Sequence, residues 1–127
     1  MAEGLAQKWL NDNGFSDWLA VSAGVFAIKG SPTSDETVKA LSSRGIEFMG
    51  TSTPFTQKMA TAAKIVICMS RSHLAAATRF TENAVLLNPD GDTPDPVGQD
   101  QSVYDALAAQ MEKIIATKLK ALTSEGA

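Results

Sequence analysis

Five consecutive apolar residues, Ile65-Val66-Ile67-Cys68-Met69, stand near the middle of the chain directly after Lys64. β-branched side chains crowd this run and no polar residue interrupts it, so Lys64–Met69 reads as a strand covered on both faces. Such a strand belongs to a parallel sheet with helices on its faces, not to a hairpin sheet with one wet face. Ala84–Leu87 is a second short run of the same kind. Between the two, Leu74–Phe80 reads as a helix, with Ser70 or Ser72 as its cap. Strand, helix, strand is the crossover unit of α/β proteins.

The flanking sequence extends this alternation. Leu5 and Trp9 share a helical face, so residues 1–10 read as a helix stopped by Asn11-Asp12-Asn13-Gly14. Trp18–Ile28 is apolar and rich in short side chains, which suits a strand running into Lys29-Gly30-Ser31-Pro32, with Gly24 marking a bulge or a close backbone approach. Ser34-Asp35-Glu36 opens a capped helix that carries Val38 and Leu41 on one face and ends at Arg44-Gly45. A brief helix containing Met59 follows Thr53-Pro54-Phe55-Thr56. Asn88 to Gln101 is almost all turn formers, a loop length often tied to function. In the last helix, Val103, Leu107, Met111, Ile114, Ile115, Leu119 and Leu122 recur at spacings of three and four, a stripe that needs a sheet to cover.

At 127 residues and 44% hydrophobic side chains, the chain holds enough for one packed core, so a single domain over residues 1–127 is expected. A net charge of −3 and basic residues that form no dense cluster argue against a nucleic-acid partner. The apolar runs are too short for a membrane span, and the start lacks the pattern of a signal peptide. One cysteine, Cys68, rules out an intrachain disulfide and fits a reducing, cytoplasmic setting. The single histidine, His73, has no clustered partners at ligand spacing, and Asp90, Asp92, Asp95 and Asp100 do not follow a calcium-loop pattern. No metal and no cofactor is expected.

The order of these pieces resembles the low-molecular-weight protein tyrosine phosphatases, a family related to certain arsenate reductases. Met1-Ala2-Glu3-Gly4-Leu5 is similar to the helix that follows the family's catalytic loop. Val21-Ser22-Ala23-Gly24 is similar to its second strand and Ser-Ala-Gly turn. Ile65 through Leu74 is similar to a later strand and helix start, and Thr93-Pro94-Asp95-Pro96 to its Asp-Pro loop. Val103-Tyr104 stands at the usual start of the final helix. The resemblance implies a three-layer α/β/α, Rossmann-like parallel sheet of the phosphotyrosine protein phosphatase I type. It also implies that the chain opens after the first strand and the Cys-x5-Arg loop, so that an interior strand of the sheet is lacking.

Phosphate monoester hydrolysis in this family needs an attacking thiolate, a ring of backbone amides with an arginine around the phosphoryl oxygens, and an acid for the leaving group. By resemblance, Asp95 is that general acid, Pro96 fixes the backbone beside it, and Ser22 supports the phosphate loop. Arg71 is a candidate anion contact at a strand end. Cys68 is not a candidate nucleophile: Arg71 follows three residues later with no glycine between, so no anion-cradling nest can form. Family members carry an aromatic residue just after the Asp-Pro pair, where this chain has Val97-Gly98, which argues against phosphotyrosine as substrate. Arsenate reduction is disfavoured because it requires additional redox cysteines.

Three functions are compatible with these residues. One is a phosphatase-family domain with little or no activity. Another is a non-enzymatic regulatory or interaction domain that binds phosphate, a similar anion or a partner. The third is an active phosphatase whose gene start lies upstream of Met1. Without its interior strand the sheet exposes backbone amides near Val21 and Ile65, and a homodimer is expected to cover them.

Overall fold

The computed structural model describes residues 1–24, 33–48, 50, 53–94, 96 and 98–125. The described residues contain α1 (Ala2–Asp12), α2 (Asp35–Ser42), α3 (Gln57–Ala62), β1 (Val66–Cys68), α4 (Arg71–Ala77), β2 (Ala84–Leu86) and α5 (Gln101–Glu125). They fall into two compact units, one holding residues 1–22, 32–51 and 96–127, the other 23–31 and 52–95.

In the first unit, α1 and α2 both pack on α5. Leu5 and Leu10 of α1, Ala40 and Leu41 of α2, and Tyr104, Leu107, Ala108, Met111, Ile115 and Leu119 of α5 form its buried interior. The α5 stripe therefore rests on helices in this unit, and its first turn differs from the expected register. Tyr104 is buried at 4% exposure while Val103 stands 37% exposed. Tyr104 lies three and four residues before Leu107 and Ala108, so it extends the same face by one turn, whereas Val103 points off it. At the other end of α1 the chain turns at Gly14 (φ +85°), a backbone shape glycine adopts without strain. Phe15 then stacks on Trp9 and meets Trp18 edge-on, ring centroids 6.0 and 5.9 Å apart.

The second unit is built on the crossover read from the sequence. β1 and β2 pair in parallel, Val66 with Ala84, Ile67 with Val85 and Cys68 with Leu86, and α4 packs against both strands. The fold class is α/β. Both strands are shorter than the apolar runs that contain them, and among their residues only Cys68 is fully buried. The expectation of strands covered on both faces is thus met at one residue.

One expected strand is corrected. Residues 18–23 of the Trp18–Ile28 segment are not in a sheet; Gly24 alone forms an isolated parallel bridge, to Pro54, and 25–28 lie outside the described residues. The bridge is made by Gly24 N–H to Thr53 O (2.9 Å) and Phe55 N–H to Gly24 O (3.0 Å). Leu19 and Val21, which a covered strand would bury, are 81% and 63% exposed. Apolar composition was the basis for the strand, and composition does not supply a neighbour to pair with.

Candidate functional site

The C-terminal end of β1 and the start of α4 carry the chemistry-bearing residues of the second unit. Cys68 closes β1 at 5% exposure, and burial pushes its thiol pKa up, so the protonated form is favoured. The next turn is held by side chains. Ser70 Oγ accepts from His73 N–H at 3.2 Å, which makes Ser70 the cap of α4, and Ser72 Oγ lies 3.0 Å from Ser70 Oγ. The amide of Arg71 donates to Asp92 Oδ1 at 2.8 Å, and Thr93 N–H donates to Met69 O at 2.7 Å. The loop is therefore tied to the strand end at Asp92 and Thr93, with Thr93 Oγ1 buried and unpartnered among the described residues.

A phosphoryl group at a strand end is held by free backbone N–H groups. Here two of the first amides of α4 are taken by Ser70 and Asp92, and the second of these partners is an anion. Arg71 itself is exposed, so its guanidinium is available to solvent while its own amide faces a carboxylate.

The other expected site residues have partners of their own. Ser22 donates both its N–H (2.7 Å) and its hydroxyl (2.9 Å) to Glu3 Oε1 on α1. Pro96 O accepts from Gln99 N–H at 3.0 Å in a turn that continues through Gly98 (φ +82°). Asp95, the expected general acid, lies outside the described residues. Ser22 and Pro96 belong to the first unit and Arg71 to the second.

Glu3 and Gln7 of α1, and Asp92 at the start of α4, also hold backbone groups here, roles that no sequence motif marks. Gln7 Nε2 donates to Trp18 O (3.0 Å) and its Oε1 accepts from Ala20 N–H (2.7 Å). These are long-range side-chain bonds between elements, and no spacing rule exposes them. In the sequence Asp92 stands among the turn formers between Asn88 and Gln101, and only the fold brings it to the start of α4. Among the described residues no group of three or more His, Cys, Asp or Glu is placed to hold a metal ion, and no described helix is long and apolar enough to cross a membrane.

Solved structures are similar to the chain over nearly its full length. A low molecular weight protein tyrosine phosphatase from T. tengcongensis is 27% identical, with a TM-score of 0.86 over 94% of this chain and 87% of that one. The YwlE arginine phosphatase from Geobacillus stearothermophilus is 28% identical, TM-score 0.81, over 99% and 90%. A YwlE mutant from Bacillus subtilis is 25% identical, TM-score 0.87, over 96% and 88%. No curated protein sequence matches the chain. The family model for low molecular weight phosphotyrosine protein phosphatases matches residues 1–127, and with that match over its full length the chain belongs to this family.

Proposed function

We propose that these 127 residues form a phosphatase-family domain that does not turn over phosphate monoesters by itself. The observation that carries this reading is the state of the only thiol. Cys68 is buried and held protonated, and the sixth residue after it is Leu74 where the family's motif requires arginine. A thiol of this kind is a poor nucleophile, and the strand end beyond it presents the Asp92 carboxylate, which repels a phosphoryl dianion. The single unpaired cysteine supports a reducing, cytoplasmic setting.

Incubating this chain with para-nitrophenyl phosphate, in parallel with Cys68→Ser, tests the proposal. Neither protein is expected to exceed the buffer rate. Turnover that vanishes in Cys68→Ser, or a phosphocysteine trapped on the chain, overturns it.

A second reading is favoured by length: the match covers 87% to 90% of the T. tengcongensis and Geobacillus chains. A longer natural form with a Cys-x5-Arg loop ahead of Met1 would be an active phosphatase, with Asp95 as acid and Ser22 as loop support. Its substrate class is then a phosphorylated side chain, and Val97-Gly98 after Asp95-Pro96 favours phosphoarginine over phosphotyrosine because no aromatic wall stands there for a phenyl ring. The coding sequence immediately upstream of Met1 decides between the readings. An in-frame strand followed by Cys-x5-Arg supports the second.

A further inference from the structure

Of the four asparagines in the chain, Asn13 alone is followed by glycine. Asparagine is thermolabile because the next backbone nitrogen can attack its side-chain Cγ. That attack needs a free N–H, an uncrowded approach and local backbone freedom. The Gly14 N–H is exposed and meets no acceptor among the described residues, although its neighbours do: Asn13 N–H bonds Trp9 O at 3.1 Å and Phe15 N–H bonds Leu10 O at 2.8 Å. A Cβ at Gly14 would meet no protein atom within 4 Å, so the nitrogen is open to approach. Asn13 is itself exposed and caps the C-terminal turn of α1, where helices fray at little cost. Its side chain is held by one bond, from Nδ2 to Trp9 O at 2.8 Å. The other candidates lack these features. Asn88 precedes Pro89, which has no N–H, the amide after Asn11 lies inside α1, and the one after Asn83 opens β2. Asp90-Gly91, open to the same route, has its Gly91 N–H bonded to Asn88 O at 3.2 Å.

We propose that Asn13 is a site of spontaneous covalent modification, at which the folded chain converts asparagine to aspartate and isoaspartate. Hydroxide takes the Gly14 amide proton, and the nitrogen forms a bond to Asn13 Cγ. The Cγ–Nδ2 bond then breaks, and water returns a proton to the departing nitrogen, which leaves as ammonia. Water opens the resulting cyclic imide at either carbonyl carbon. Breaking the new Cγ–N bond gives aspartate, whereas breaking the original peptide bond gives isoaspartate, whose backbone runs through the side chain and is one carbon longer. The charged residues lining the clefts that Asn13 shares are Lys8 paired with Asp12, Arg44 paired with Glu112, and Lys120. Both carboxylates are already paired, so hydroxide is the base and the rate rises with pH. The products weaken the end of α1. A carboxylate cannot donate to Trp9 O, and it adds negative charge beside Asp12 at the negative end of the helix. The longer isoaspartyl backbone also moves Phe15 off its stack on Trp9. None of this depends on whether the chain is a catalyst.

Peptide mapping by liquid chromatography and mass spectrometry tests it, on the full chain held folded in mildly alkaline buffer, on the same chain unfolded in urea, and on Asn13→Gln. The peptide spanning Asn13 is expected to gain the mass difference between an amide and a carboxyl and to split into two isomers, with fragment ions placing the change at residue 13 and not at 11. Conversion should be slower folded than unfolded and faster at higher pH, while the peptides holding Asn83, Asn88 and Asp90 stay unchanged over the same interval. Asn13→Gln is expected to lose the reaction, since its attack must close a larger ring. Asn13→Asp, which makes one product directly, is expected to speed hydrogen exchange of the Phe15 amide. The proposal is overturned by a folded chain that stays unmodified while the unfolded one converts fully, by conversion at Asn83 or Asp90 ahead of Asn13, or by an Asn13→Asp chain whose Phe15 amide exchanges no faster than the parent's.

Discussion

Cys68 carries a reactive group whose environment makes it inert. Its thiol is buried at the end of β1, and burial raises its pKa above the ordinary thiol value of about 8.5. Native protein at neutral pH is therefore expected to react with Ellman's reagent much more slowly than unfolded protein, and rapid native labelling would contradict this. The same shift has a consequence for stability. A raised folded-state pKa contributes stability that is fully present below the unfolded value and is lost as pH rises through the folded one. Melting temperature is thus expected to fall on the alkaline side, and less so in Cys68→Ala. Glu112 shows the opposite sign: its hydrogen bond from Arg44 holds the carboxyl below the usual range. That contribution is present above the ordinary carboxylate pKa and is lost as pH falls through the depressed one. Because the Glu112 side chain is 51% exposed, solvent screens the pair, and Glu112→Gln is expected to cost less than about 1 kcal/mol at neutral pH. The cost should vanish in acid, as urea melts at two pH values would show.

Local chemistry made the helices legible and left the extended segments ambiguous. Ser34 and Ser70, the latter one of two candidate serines, each accept from the amide three residues on, as their types and positions predict, and Thr56 does the same for α3. Ser70→Ala is accordingly expected to lower stability by about 1 kcal/mol, measurable by denaturant titration. Gly4 in α1 illustrates what patterning leaves hidden. A Cβ at that position would lie 3.1 Å from Leu41 Cδ1, and Leu41 has no exposed surface into which to move. Gly4→Ala gains helix propensity and meets this tight contact, whereas Gly4→Leu overfills the seam and is expected to cost about 1–3 kcal/mol. Residues 18–23 were read as a strand from apolar content. What fixes them is the Gln7 and Glu3 side chains of α1, a contact made across 11 to 19 positions that periodicity cannot report. The candidate site was legible to a similar degree. Ser22 and Pro96 could be named from motif order and Arg71 from its place at a strand end, but the partners of their backbone and side-chain groups, Glu3, Gln99 and Asp92, come from the fold.

At the scale of the whole molecule, the two units differ in how much apolar surface each removes from water. The first packs Leu5, Leu10 and Leu41 against Met111, Ile115 and Leu119 of α5, all at 6% exposure or less. The second rests on a pair of three-residue parallel strands that are mostly half-buried, with Ala60, Cys68, Ala77 and Leu87 as its buried apolar residues. Apart from Leu87 these are alanine and cysteine, which contribute less on burial than leucine, isoleucine and methionine do, and a two-stranded sheet is marginal without further cover. Opening of the second unit should therefore require less free energy than opening of the first. Native-state hydrogen exchange reads this directly. The amide of Val66, bonded to Asn83 O, and that of Leu87, bonded to Cys68 O, are expected to exchange through a sub-global opening at low denaturant. Amides in the centre of α5, around Ala108 to Ile115, should exchange only with global unfolding. If Val66 and Leu87 instead merge with the α5 amides into one denaturant-dependent isotherm, the chain unfolds as a single cooperative body and this ranking is wrong.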